Sequence, residues 1–189
     1  SLDAGNADDG NLDELDLNDS GDGLQVDGIA YTFPLGDKTT VFVGDNMDGS
    51  TLYSTACVYG GQTNTLDDCG NAYSALAAGK GTAAGASYDI GNGFSAASGY
   101  EGEGDTTDGL LTDGGDDAYG AQLTYAADQF GLSVTYANIE STTTAGAVIA
   151  GEDVTYWALN GYWTPSEAGS MPSVSVGYEM GDPEKAGAK

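Results

Sequence analysis

Carboxylates dominate the groups in this chain that could do chemistry. It carries 30 Asp and Glu against 4 Lys, with neither Arg nor His. Such a set could serve as general acid–base pairs, or could hold hard cations through oxygen. Acid–base work needs a carboxyl lifted toward neutrality by apolar surroundings, and the acidic runs offer none. No Gly-x-Ser-x-Gly elbow, phosphate-binding loop or paired-Cys metal motif accompanies the missing His. The chain is therefore not expected to be an enzyme. Calcium is the better test: Asp16-Leu17-Asn18-Asp19-Ser20-Gly21, with Asp27 in the twelfth place, has EF-hand loop spacing. The ligands would be Asp16, Asn18, Ser20 and Asp27, with Gly21 supplying the tight bend. Against this, Asp27 replaces the usual bidentate Glu, falls in a stretch that reads as a strand, and no flanking helices are evident. No cofactor is required. Calcium at this loop, or divalent ions held loosely on runs such as Asp113-Gly114-Gly115-Asp116-Asp117, is the ion binding the residues suggest.

The two cysteines, Cys57 and Cys69, lie in a polar, loop-like stretch and permit one intrachain pairing. An exposed pair of this kind suggests an oxidising compartment. By the chain-entropy argument such a short ring would stabilise the fold by about 3 kcal/mol. The alternative is two unpaired loop thiols.

The formal net charge of −26 narrows the partners. Four scattered lysines cannot neutralise a phosphate backbone, which excludes nucleic acid. They equally argue against docking on an anionic membrane surface. Leu, Ile, Val and Phe make up only 31 of 189 residues, which with this charge would signal disorder. Yet the 12 Tyr and 2 Trp fall at alternating positions inside short runs, and the acids cluster between those runs. A thin apolar face without a large core fits a barrel with a wet interior. No apolar run approaches the about 18–20 residues of a membrane-spanning helix, whereas spanning strands need only about 9–11. The opening at Ser1 is acidic, unlike a signal peptide, and both ends are expected to be truncated.

Period-two alternation marks eight strands, near 24–34, 39–45, 83–91, 93–102, 118–127, 130–139, 152–163 and 172–180. In the sixth, Phe130, Leu132, Val134 and Tyr136 alternate with Gly131, Ser133, Thr135 and Ala137. Successive side chains point to opposite faces, so each strand has an apolar face and a small, polar one. Residues 1–23 read as an acidic loop or strand end, 24–181 as strands and loops, and 182–189 as a loop or truncated end. Tight links at Gly36-Asp37-Lys38, Gly91-Asn92-Gly93, Asp128-Gln129 and Ser166 to Ser170 alternate with long polar segments at 46–82, 103–117 and 140–151. Short turns at one rim and long loops at the other are how membrane barrels are built. Aromatics such as Tyr31, Tyr100, Tyr119, Trp157 and Trp163 lie near strand ends or on the apolar face, and rings with a polar edge suit a water–lipid boundary. Gly on strands weakens pairing unless something needs the space.

The run Leu24 to Gly44, the hairpin Ala118 to Asn138 and the strand Val154 to Trp163 resemble cyanobacterial outer-membrane porins. These are the iron-uptake or carbohydrate-selective (OprB-like) porins. The resemblance covers most of residues 24–180 through diffuse motifs. It implies a wider antiparallel transmembrane β-barrel, usually a homotrimer in outer-membrane lipid, passing ions and small hydrophilic solutes. The amino-terminal peptidoglycan-binding domain of that family has no counterpart in these residues, and cell-wall anchoring is not implied.

On this reading the polar alternates face the lumen. They are Gln25, Asp27, Ser87, Asp89, Ser95, Gln122, Thr124, Ser133, Thr135, Asn160, Ser175 and Glu179; in the first strand either face could be the apolar one. Acid-lined pores favour cations; the alternative is that the charges sit in outer loops and bias access alone. The chain is thus expected to be an outer-membrane porin, passive and cation-preferring. The rival reading is a secreted, calcium-dependent, acidic β-rich surface or adhesion protein, which should show Gly/Asp nonapeptide repeats; none recurs. A salt-adapted soluble enzyme would need a larger core face and evenly spread acids.

Overall fold

The computed structural model describes residues 2–3, 28–54, 76, 81–102, 117–140, 153–166 and 171–183. They form nine strands: β1 (Leu2–Asp3), β2 (Gly28–Leu35), β3 (Thr39–Asp45), β4 (Thr82–Gly91), β5 (Phe94–Gly102), β6 (Asp117–Ala126), β7 (Phe130–Ile139), β8 (Val154–Trp163) and β9 (Val174–Pro183). All eight expected strands are present, joined at one edge by the two-residue β1. There is no α-helix among the described residues. The last strand runs to Pro183 rather than ending near 180. A proline is tolerated there because an edge strand leaves one row of N–H groups outside the ladder.

Every strand pairs antiparallel with its sequence neighbour, in the order β1 through β9. The sheet is a pure meander, and among the described residues β1 and β9 do not pair, so it is open. Sequence-adjacent antiparallel strands need no crossover, and each pairing follows from a link at one end only. Short links join β2 to β3, β4 to β5 and β6 to β7, all at one edge of the sheet. The segments 46–81, 103–116 and 140–153 connect strands at the other edge.

Side-chain alternation in β6 and β7 sorts the two faces cleanly. Leu132 is 51 % exposed while Ser133, the next residue, is 1 % exposed. Tyr119, Leu123, Phe130, Val134, Trp157, Leu159, Val176 and Tyr178 are likewise exposed. Gln122, Thr124, Thr135 and Asn160 are buried. This is the reverse of a water-soluble sheet, whose apolar face turns to the core. The register carries the sorting across strands: Leu123 faces Val134, Val134 faces Leu159, and Leu159 faces Tyr178. Aromatic clusters lie toward both ends of this apolar face. Phe94, Tyr125 and Phe130 pack near the short turns, with centroids 4.6 and 5.6 Å apart. Tyr119, Tyr136 and Trp157 pack toward the long links, at 6.5 and 5.0 Å.

The tight turn between β4 and β5 depends on unusual backbone. Gly91, Asn92 and Gly93 all have positive φ, at 97°, 54° and 84°. A Cβ on Gly93 would lie 2.4 Å from the Ala126 carbonyl oxygen, whereas one on Gly36, at φ 75°, would meet nothing within 4 Å. Gly36→Ala should cost about 1 kcal/mol, the left-handed penalty alone. Gly93→Ala adds a backbone clash and should cost about 2–3 kcal/mol. Urea unfolding midpoints of the two variants check this; equal shifts would refute the clash.

Candidate functional site

The polar face is not open. After β3 the chain turns at Asn46 and residues 46–54 cross that face as a strap, made possible by a row of glycines. Gly85 pairs with Gly99, and Gly99 with Gly120, placing three side-chain-free positions in line across β4, β5 and β6. A Cβ on Gly99 would overlap the carbonyl oxygen of Gly49; one on Gly120 would meet Leu76 at 2.6 Å and the Tyr53 hydroxyl at 2.9 Å. The Phe42 ring takes the space over Gly85. The strand glycines thus form a trough in which the strap lies.

Hydrogen bonds fix the strap at both ends. The Asn46 amide donates to the Gly81 carbonyl at 2.6 Å. Gly49 N–H donates to the buried carboxylate of Glu101 at 2.7 Å. Ser54 N–H donates to Gln122 Oε1, also at 2.7 Å. Between these anchors Tyr53 and Leu76 pack on Ala118, Ala137 and Ala158, the small apolar cluster of the polar face. Burial pushes the Tyr53 phenol well above its ordinary range, with the Gly99 backbone opposing that shift.

Gln122 ties the strap to the wall. Its Oε1 also accepts from the Thr124 hydroxyl at 3.2 Å, and its Nε2 donates to Thr135 Oγ1 at 3.1 Å. Beside it a cavity of about 320 Å³ opens toward the short turns, lined by Lys38, Ser54, Ser87, Asp89, Ser95 and Gln122, among others.

The candidate lumenal residues in the described strands all fall on this one face. Asp89 faces Ser95, Ser95 faces Thr124, Thr124 faces Ser133, and Ser133 faces Asn160. A second row runs Ser87, Ala97, Gln122, Thr135, Ala158 and Glu179. Ser175 faces Tyr162 on the same side. Gln25 and the calcium candidates Asp16, Asn18, Ser20 and Asp27 lie outside the described residues, as do Cys57 and Cys69. Among the described residues no three of His, Cys, Asp or Glu come together to hold a metal ion.

The strap and its Glu101 anchor are not expected from the sequence. One signal was there: Gly85 and Gly99 lie equally far from Asn92, so one hairpin brings them together. Gly120 joins them through a register set across residues 103–116, which no local pattern gives. Comparison with protein-family models, curated proteins and solved structures finds no match for this chain.

Gly99→Val puts three carbons where the Gly49 carbonyl lies, so the strap must lift. Chymotrypsin should then cut at Leu52 or Tyr53 at least about tenfold faster, since cleavage follows the population of the open form. A cleavage pattern like that of the parent protein would mean the trough does not seat the strap.

Proposed function

We propose that this chain is a stretch of an outer-membrane β-barrel porin, a passive channel for ions and small hydrophilic solutes. The observation that carries the reading is the inverted sorting of the sheet: bulky apolar side chains exposed, hydroxyl and amide side chains buried. An apolar surface running across β6 to β9 needs an apolar surrounding to be stable. Hydrocarbon supplies it, provided all backbone groups are paired within the sheet.

Dimensions support the same reading. Ten residues per strand in β6 to β9 give about 33 Å of length. Tilted by about 40°, that covers the about 25 Å apolar band of such barrels. The aromatic clusters toward the two ends of the apolar face fit the two interfaces. Closing the wall into a barrel requires further pairing at the free sides of β1 and β9. A homotrimer is the assembly the porin resemblance implies.

The strap gives the channel its selectivity. Laid across the polar face, it narrows the passage so that solutes pass between it and Asp89, Ser95 and Thr124. With Asp89 and Glu179 on that face against the single Lys38 at the turn end, cations are preferred. The transport is driven by gradients alone and consumes no cofactor.

Both tryptophans of the chain, Trp157 and Trp163, are on the exposed apolar face, which makes the reading directly testable. Brominated acyl chains should quench the tryptophan fluorescence of the reconstituted protein strongly, and aqueous iodide weakly. Planar bilayers should show cation-selective steps. Iodide quenching that exceeds bromolipid quenching, with no conductance, would sink the porin reading.

A further inference from the structure

We infer that Ser133, Asn160 and Glu179 form a station for a small, partly hydrated monovalent cation on the polar face, beside the strap. The inference rests on the channel reading and names a site within it. Ser133 and Asn160 are each 1 % exposed. Neither Ser133 Oγ nor either amide atom of Asn160 has a hydrogen-bond partner among the described residues. Buried polar groups are costly unless paired, so three orphaned atoms side by side call for something that pairs them.

Their placement defines what that is. Ser133 and Asn160 are direct cross-strand partners, which brings their Cβ atoms to about 5 Å. Asn160 faces Gly177 on β9, so Glu179, two residues on and on the same side, is its diagonal neighbour. The group therefore offers two neutral oxygens, one carboxylate and an amide N–H pair. A cation takes the hydroxyl and amide oxygens directly. A water in its shell donates to the carboxylate and accepts from the Asn160 amide.

Charge and number decide between ions. Calcium wants six to eight oxygens, usually several of them carboxylates, and magnesium a near-ideal octahedron. One carboxylate with two neutral oxygens suits a monovalent ion held weakly enough to leave, which conduction requires. The row leading there begins at the cavity: Asp89 and Ser95 line it, and Thr124 and Ser133 continue from Ser95. The station thus stands at the end of a row of hydroxyl groups that begins at the cavity.

Potassium is the probe, with conductance of the reconstituted protein measured against KCl concentration. Wild type should saturate as KCl rises. Ser133→Ala removes an oxygen that holds no partner, so folding is retained, and the saturation should weaken. Asn160→Leu should make conductance linear and lower the K⁺ over Cl⁻ permeability ratio severalfold; Asn160→Asp should raise it. Saturation and selectivity unchanged in Ser133→Ala and Asn160→Leu would overturn the station while leaving the channel intact. Wild type without conductance would instead remove the channel reading. The station then stands or falls on thermal unfolding in detergent, in KCl against choline chloride at equal ionic strength. A K⁺-specific rise in wild type that is lost in Ser133→Ala upholds it, and identical curves overturn it.

Discussion

In a paired strand a side chain has two directions open to it, and the ladder of backbone hydrogen bonds leaves no third. The rest of this structure depends on that constraint. Because β6 to β9 keep an unbroken register, an alternation written in one strand is copied across its neighbours, and Leu123, Val134, Leu159 and Tyr178 become one surface. A slip of one residue between any two strands would turn half of that surface over. The sheet tolerates small residues and abundant glycine because its stability comes from the ladder more than from a deep core.

The glycine row shows how such a sheet acquires an interior. Glycine weakens a strand, and three in line at Gly85, Gly99 and Gly120 would be a fault in a sheet packed by side chains. Here the weakness is the seat of the strap. Backbone lies on backbone, Tyr53 and Leu76 fill the remaining space, and Glu101 and Gln122 accept the N–H groups that leave the ladder. The strap places its Gly49 and Ser54 N–H groups on acceptors of the wall while it covers the wall's polar face.

Much of the sheet was legible in the sequence because period two is a local signal. The eight strands and their hairpins follow from runs such as Phe130 to Ala137 and from turn residues such as Gly91-Asn92-Gly93. The faces of β6, β7 and β9 are also as expected, because bulky and small residues alternate there; β8 is less regular, with Gly161 on the apolar face and Tyr156 and Tyr162 on the polar one. The short β1 was not legible: two residues carry no period, and Leu2 and Asp3 pair with Ile29 and Gly28 across a long separation. The strap escaped for a different reason. Residues 46–54 have no periodicity of their own, and their position is decided by an absence of side chains on strands far away in sequence. Glu101 reads as one more acid in an acidic chain until Gly49 is placed beside it.

The strict alternation of short and long links has an electrical consequence. Asp37, Asp128 and Glu167 are the carboxylates of the short links, whereas the long ones carry Asp48, Asp67, Asp68, Glu103, Asp105, Asp108, Asp113, Asp116, Glu140, Glu152 and Asp153. Negative charge is therefore concentrated on the segments of a single edge. For a sheet set across a bilayer, mobile counter-ions gather at that mouth and are sparse at the other. Were such a sheet to conduct, the two directions of flow would start from unequal reservoirs, giving a weak diode in dilute salt and an ohmic resistor in concentrated salt.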